Sequence, residues 1–172
     1  MVDTMLDVET LGTGPRAVVL SIGAVLFDRS GVKSDPPHFY ACVTFGDQIN
    51  KVRREVTQDT LLWWAGQHED ALHRAFARER EPVGKALARL AEFKRGNVWA
   101  NGPSFDGTIM ETLYRDARME PPWRFWELRC VRTIVEAGSV PRDFVPAANH
   151  DPVDDCVRQV LMVNEARRRL GL

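Results

Sequence analysis

The 172 residues, 44% hydrophobic and 27% charged, are enough for one soluble globular domain over residues 1–172 with a substantial core. A formal net charge of −1 gives no overall basic signal for nucleic acid, although a small cleft can still be locally positive or filled by metal. Cys42, Cys130 and Cys156 are scattered and odd in number, and no stretch has membrane-span length or a secretory pattern; this excludes a disulfide frame, a Cys-x-x-Cys zinc site and membrane insertion, with a cytoplasmic protein as the expectation.

In chain order, residues 2–9 read as a short strand and Gly12–Arg16 as a turn cluster. Ala17–Asp28, rich in branched apolar residues, predicts a long buried strand. A break over residues 29–37 follows, and His38–Phe45 predicts a third strand. Short connections make these three an antiparallel meander. The pattern then turns helical. Thr57 or Asp59 can cap a helix carrying "TLLWWAGQ", and "EDALHRAFARER" continues helically to Pro82. Pro82 suits the first turn of another helix, with Val83, Ala86, Leu87, Leu90 and Phe93 on one face. Asn97–Asn101 predicts a short strand, Asp106–Ala117 a helix, and "RFWELR" a last strand. "CVRTIVEAG" is a short helix ended by Gly138. A loop through Pro141 and Pro146 leads to a C-terminal helix from Pro152 to Leu170. Such an order gives one α/β domain around a mixed sheet.

Three stretches carry chemistry. In "TMLDVETLGT", Asp7 and Glu9 are two apart on a strand and project from the same face. Both ionise favourably only if they share a cation, and oxygen ligands suit Mg²⁺ or Mn²⁺ better than zinc. A solvent-exposed strand face explains D-x-E equally well. In "NGPSFD", Asp106 stands where a strand gives way to a helix, which is also the place of a routine helix cap. In "NHDPVDDCVRQVL", His150 and Asp155 bracket the entry into the last helix. An acidic first turn favoured by the helix dipole accounts for Asp151, Asp154 and Asp155 by itself.

As a set, in this order and spacing, the three stretches resemble the DEDDh exonucleases. These are the DnaQ-like or ribonuclease T-like 3′→5′ exonucleases of the ribonuclease H-like superfamily. "DVET" is similar to their first motif, "NGPSFD" to the second and "HDPVDD" to the third. A closer resemblance, to phage exonucleases and the related bacterial exoribonucleases, is carried by "DTLLWWAGQ", "FWELRCVRTI" and "FDGTIM". Cysteines in "CVRT" and "DDC", and the acidic, proline-containing surroundings of His150, depart from the commoner pattern without touching an expected ligand.

The resemblance implies a ribonuclease H-like mixed sheet, three antiparallel strands followed by parallel ones, flanked by helices. It implies hydrolysis at the 3′ end of single-stranded RNA or DNA, releasing nucleoside 5′-monophosphates. Two divalent cations, Mg²⁺ or Mn²⁺, would lie about 4 Å apart in a cage of Asp7, Glu9, Asp106 and Asp155. The H-x₄-D spacing selects Asp155 over Asp154. His150 would act as general base, since a histidine ordinarily titrates near pH ~6.5. Thr10, Leu11 and Phe105 are expected substrate contacts. Of the adjacent Trp63 and Trp64, about 100° apart on a helix, one is expected in the core and one facing a base; both in the core or an interface is the competing arrangement. Trp99, Trp123 and Trp126 are expected to pack, and the basic "ARRRL" to be a solvated helix face. The related ribonucleases also imply a homodimer. A catalytically silent nucleic-acid-binding module and a phosphohydrolase of small nucleotides or dinucleotides are the competing functions on the same fold.

Overall fold

The structure, a computed structural model, describes residues 2–28, 35–146 and 150–172. Strands β1 (Asp3–Thr10), β2 (Val19–Phe27) and β3 (His38–Cys42) form the expected antiparallel meander. β4 (Val98–Ala100) and β5 (Leu128–Cys130) add to β1 in parallel, giving a five-stranded sheet in the order β3-β2-β1-β4-β5. The helices are α1 (Gly46–Asn50), α2 (Gln58–Ala65), α3 (Glu69–Leu72), α4 (Val83–Phe93), α5 (Asp106–Asp116), α6 (Val131–Ala137) and α7 (Pro152–Leu170). A wider π-type turn over His73–Ala77 prolongs α3. No helix among the described residues is long and apolar enough to cross a membrane.

The alternation of β1 divides the core. Leu6 and Val8 point to one face, where Leu87 and Leu90 of α4 and Ile109, Met110 and Leu113 of α5 cover them. Met5 points to the other, among Val25, Phe27, Trp99, Val131 and the α7 residues Cys156, Val160 and Val163. The result is a three-layer α/β/α domain with α6 and α7 on the face that Asp7 and Glu9 share. Two glycines let α7 come close. A Cβ on Gly23 would lie 2.5 Å from the carbonyl carbon of Pro152, so the first turn of α7 rests directly on β2. A Cβ on Gly138 would lie 2.7 Å from Cα of Ala166, which brings α6 against the same helix.

Several expectations shift. The helix expected to run to Pro82 ends at Ala77, because the Arg80 guanidinium donates to the carbonyls of Leu20, Val43 and Ala75 and draws the chain alongside β3. Glu81 there bridges Val43. The last strand is shorter than "RFWELR": Glu127 accepts from the Arg124 N–H at 2.7 Å and from Lys94, winding Phe125–Glu127 into a 3₁₀ turn. That turn corrects the packing expected of Trp126. Trp126 is 61% exposed and Phe125 80%, their rings 4.9 Å apart against each other. Trp99 and Trp123 are buried as expected. Helix α1 has no counterpart in the sequence reading; its buried Gln48 accepts from the Val19 N–H and donates to the Val19 carbonyl. In the C-terminal basic run, Arg168 and Arg169 pair with Glu165, while Arg167 lies over the rings of Phe27 and Trp99. The break after β2 falls largely outside the described residues, as do residues 147–149 of the loop before α7.

Candidate active site

The site lies at the C-terminal end of β1, where the sheet stops and three loops converge. β4 ends at Ala100, so Val8, paired with Ile22 of β2 on one side, lies beyond the last rung of the β1–β4 ladder on the other. The Asp106 carboxylate takes the Val8 N–H together with its own, and the chain turns there from β4 into α5. Asp106 is buried, and its N-cap neighbour is Phe105. It is therefore the first residue within the helix, and its carboxylate reaches sideways to β1.

α7 supplies the other side. Asp151 caps the helix by accepting from the Val153 N–H at 3.0 Å, and it pairs with Arg78 at 3.7 Å. With Pro152 seated on Gly23, the residue paired with Asp7 in the sheet, the first turns of α7 lie over β1. Asp155 then faces Glu9, and Gln159, one turn further, donates Nε2 to Asp7 Oδ1 at 2.8 Å. Asp154 is exposed.

His150 adopts a left-handed backbone conformation, φ 54°, which turns the chain sharply just before the helix. Its ring packs edge-on against Trp63 at 4.8 Å and Trp64 at 6.2 Å between centroids. Ligand atoms of Glu9, His150 and Asp155 lie within 4.8 Å of one another.

The carboxylates repel one another in a poorly solvated setting. Burial first, then Asp106, Asp155 and Glu9, hold Asp7 well above the usual carboxylate range, with the Gln159 amide opposing. Burial followed by the charges of Asp155, Asp106 and Asp151 pushes Glu9 from 4.5 up to about 8. Asp106 rises to about 7, chiefly by burial, against the two backbone N–H groups and the charge of Arg132. Asp155 is raised by burial, with His150 and Arg158 opposing. Such a cluster is stable as anions only with added positive charge.

Among the expected substrate contacts, the structure separates inner from outer. Trp64 is 2% exposed and donates its indole N–H to the Thr10 carbonyl at 2.9 Å. Leu11 is 5% exposed, turned into a cluster with Val18, Leu20 and Trp64. Thr10 is buried, its hydroxyl donating to the Gly12 carbonyl. Trp63 is 45% exposed. With Glu9, Thr10, Asp59, Thr60 and Phe105 it lines a groove of about 390 Å³ next to the carboxylates. Gln159, Arg132 and Arg158 have no counterpart in the sequence reading. The one available signal was a glutamine four residues after Asp155 on an otherwise apolar helix face.

The family model of the 3′-5′ exoribonuclease Rv2179c-like domain matches residues 2–166. The chain belongs to this family. It is thereby a 3′-5′ exonuclease. An exodeoxyribonuclease of Enterobacteria phage T4 is 27% identical over 209 aligned positions, covering 98% of this chain and 90% of the phage protein. Among solved structures, the nuclease domain of 3′hExo, a DEDDh family member bound to rAMP, superposes with a TM-score of 0.60 at 11% identity. The match covers 99% of this chain and 92% of that one, and it shows a shared ribonuclease H-like fold.

Proposed function

We propose that this member of the family removes nucleotides from the 3′ end of single-stranded nucleic acid as nucleoside 5′-monophosphates. Asp7, Glu9, Asp106 and Asp155 would hold divalent cations, Mg²⁺ or Mn²⁺, and His150 would serve as general base. The observation that carries this reading is the convergence of four carboxylates and one imidazole at the end of β1, with Glu9, His150 and Asp155 within mutual ligand distance. The donor set fits a hard cation: it is dominated by carboxylate oxygens, and the crowding that lifts Glu9 and Asp106 is what a bound cation would relieve. When bound, a pair of such ions activates water and stabilises the leaving oxygen.

The rest falls to the chain itself. His150, braced by two indole rings and within ligand distance of Glu9 and Asp155, would take a proton from the attacking water as a neutral imidazole. Gln159 fixes one oxygen of Asp7 and so orients the other. The Trp63 groove would receive the terminal nucleoside, with stacking on the indole worth ~1–3 kcal/mol. The buried Trp64 and Leu11 would shape that groove from behind. RNA and DNA differ by a 2′-hydroxyl that the protein must touch to discriminate. The family description names an exoribonuclease and the phage relative an exodeoxyribonuclease.

Matched 3′-labelled RNA and DNA oligonucleotides test the proposal. With Mg²⁺ or Mn²⁺ the label should leave as a mononucleotide, faster from one of the two, and Asp7→Asn should stop it. Binding without label release would favour the silent module, and cleavage confined to dinucleotides a small-nucleotide phosphohydrolase.

A further inference from the structure

A second concavity, of about 720 Å³, opens between α6 and α7. It shares no lining residue with the Trp63 groove. Two residues tie it to the carboxylates. Asn101 follows β4 in the turn that leads to Asp106, and Gln159 holds Asp7. Gln159 is 3% exposed, and while its Nε2 is spent on Asp7, its Oε1 is buried with no partner among the described residues. The cavity has an apolar wall in Val135, Val140 and Met162 and carries Arg132, Arg142 and Arg158 against a single acid, Glu136.

The three arginines are not equivalent. Arg158 is committed to the fold, donating to the carbonyls of Pro146 and Arg142. Arg132 is exposed and its side chain makes no hydrogen bond among the described residues. It lies against Gly102, its Cζ 3.6 Å from where a Cβ would be, and it is the cation that acts on Asp106. A guanidinium with free donors beside an anionic reaction centre is a ready contact for a phosphate. A cleaved strand has two sides, and two concavities reach the carboxylate cluster, one through Glu9 and the other through Gln159 and the turn at Asn101.

Resting on the exonuclease reading above, we propose that the cavity between α6 and α7 receives the retained strand. Arg132 would bind the phosphodiester immediately 5′ of the scissile one, Arg142 would assist, and a nucleobase would lie against Val135, Val140 and Met162. The contact is to charge and shape, so it would serve any base sequence and would favour chains over isolated dinucleotides.

The test compares two single-stranded decamers of the same sequence, one carrying a neutral methylphosphonate in place of that phosphodiester. In the wild type the substitution should raise KM about tenfold. Arg132→Gln should raise KM for the charged decamer by a similar factor and abolish the difference between the two. Arg142→Gln should reduce the difference about threefold. Arg168→Gln, at the far end of α7, should preserve it in full. No difference in the wild type, or one that survives Arg132→Gln, overturns the assignment. A wild type that shortens neither decamer removes the exonuclease reading itself, and this inference with it.

Discussion

Asp3 and Asp7 stand four residues apart on the same face of β1, and their surroundings could hardly differ more. Asp3 accepts from the Asn97 N–H at 2.9 Å, the Asn97 side-chain amide at 3.3 Å and the Trp99 indole at 2.9 Å. Among the described residues, Asp7 has one side-chain donor, Gln159, and three neighbouring carboxylates. The first is a carboxylate whose charge the fold satisfies, and it ties β1 to β4. The second is a carboxylate whose charge the fold leaves open. Where a strand buries an acid and supplies donors, its charge is balanced by the fold; where it buries an acid among other acids, the anionic form calls for added positive charge.

Substitutions at the two ends should separate these roles. The largest effect is expected from Asp7→Asn, which should lower exonuclease turnover about a thousandfold or more while leaving the melting temperature unchanged or raised, since it removes a repelled charge. His150→Ala should cost about 10²–10⁴-fold in kcat, the range of a lost general base, with metal affinity reduced far less than by Asp7→Asn. Asp3→Ala should do the reverse of Asp7→Asn. Leaving the Asn97 and Trp99 donors buried without a partner should cost about 2–4 kcal/mol in a urea titration, with activity per folded molecule retained. An Asp3→Ala variant as stable as the wild type would erase the contrast.

The pH dependence of stability is a finer probe. Glu9 titrates at about 8 in the fold and at 4.5 ordinarily. Between those values the unfolded chain has released this proton and the folded one retains it. Its contribution therefore makes cation-free protein less stable as pH rises from about 4.5 to about 8, with no further loss above. Glu9→Gln should flatten that decline. The smallest effect is expected from Gln159→Leu, about tenfold in kcat through loss of one hydrogen bond to Asp7.

Much of this architecture was readable because β1 and the first turn of α7 obey local rules. A two-residue period puts Asp7 and Glu9 on one face whatever the fold. Asp106 and Asp155 stand at helix starts that turn chemistry marks. The α/β order and the meander followed from the same periodicities. Other features depend on packing at long range. Nothing near Gln159 says that its helix will lie over β1, because Gly23, which permits it, is 136 residues away. The separation of Trp63 from Trp64 follows from how α2 is rotated against Leu11 and Ala71, not from its sequence. Phe125 and Trp126 read as strand because their propensity is strong. Glu127 overrides it with a capping bond and turns both rings outward.

Titration calorimetry of Mn²⁺ at pH 8, on wild type, Asp7→Asn and Asp3→Asn, tests the central claim most directly. Wild type and Asp3→Asn should bind the ion with matching stoichiometry, and Asp7→Asn should lose most of that affinity. Mn²⁺ binding unaffected by Asp7→Asn, or none in the wild type, would contradict the assignment of the end of β1 as a cation cage.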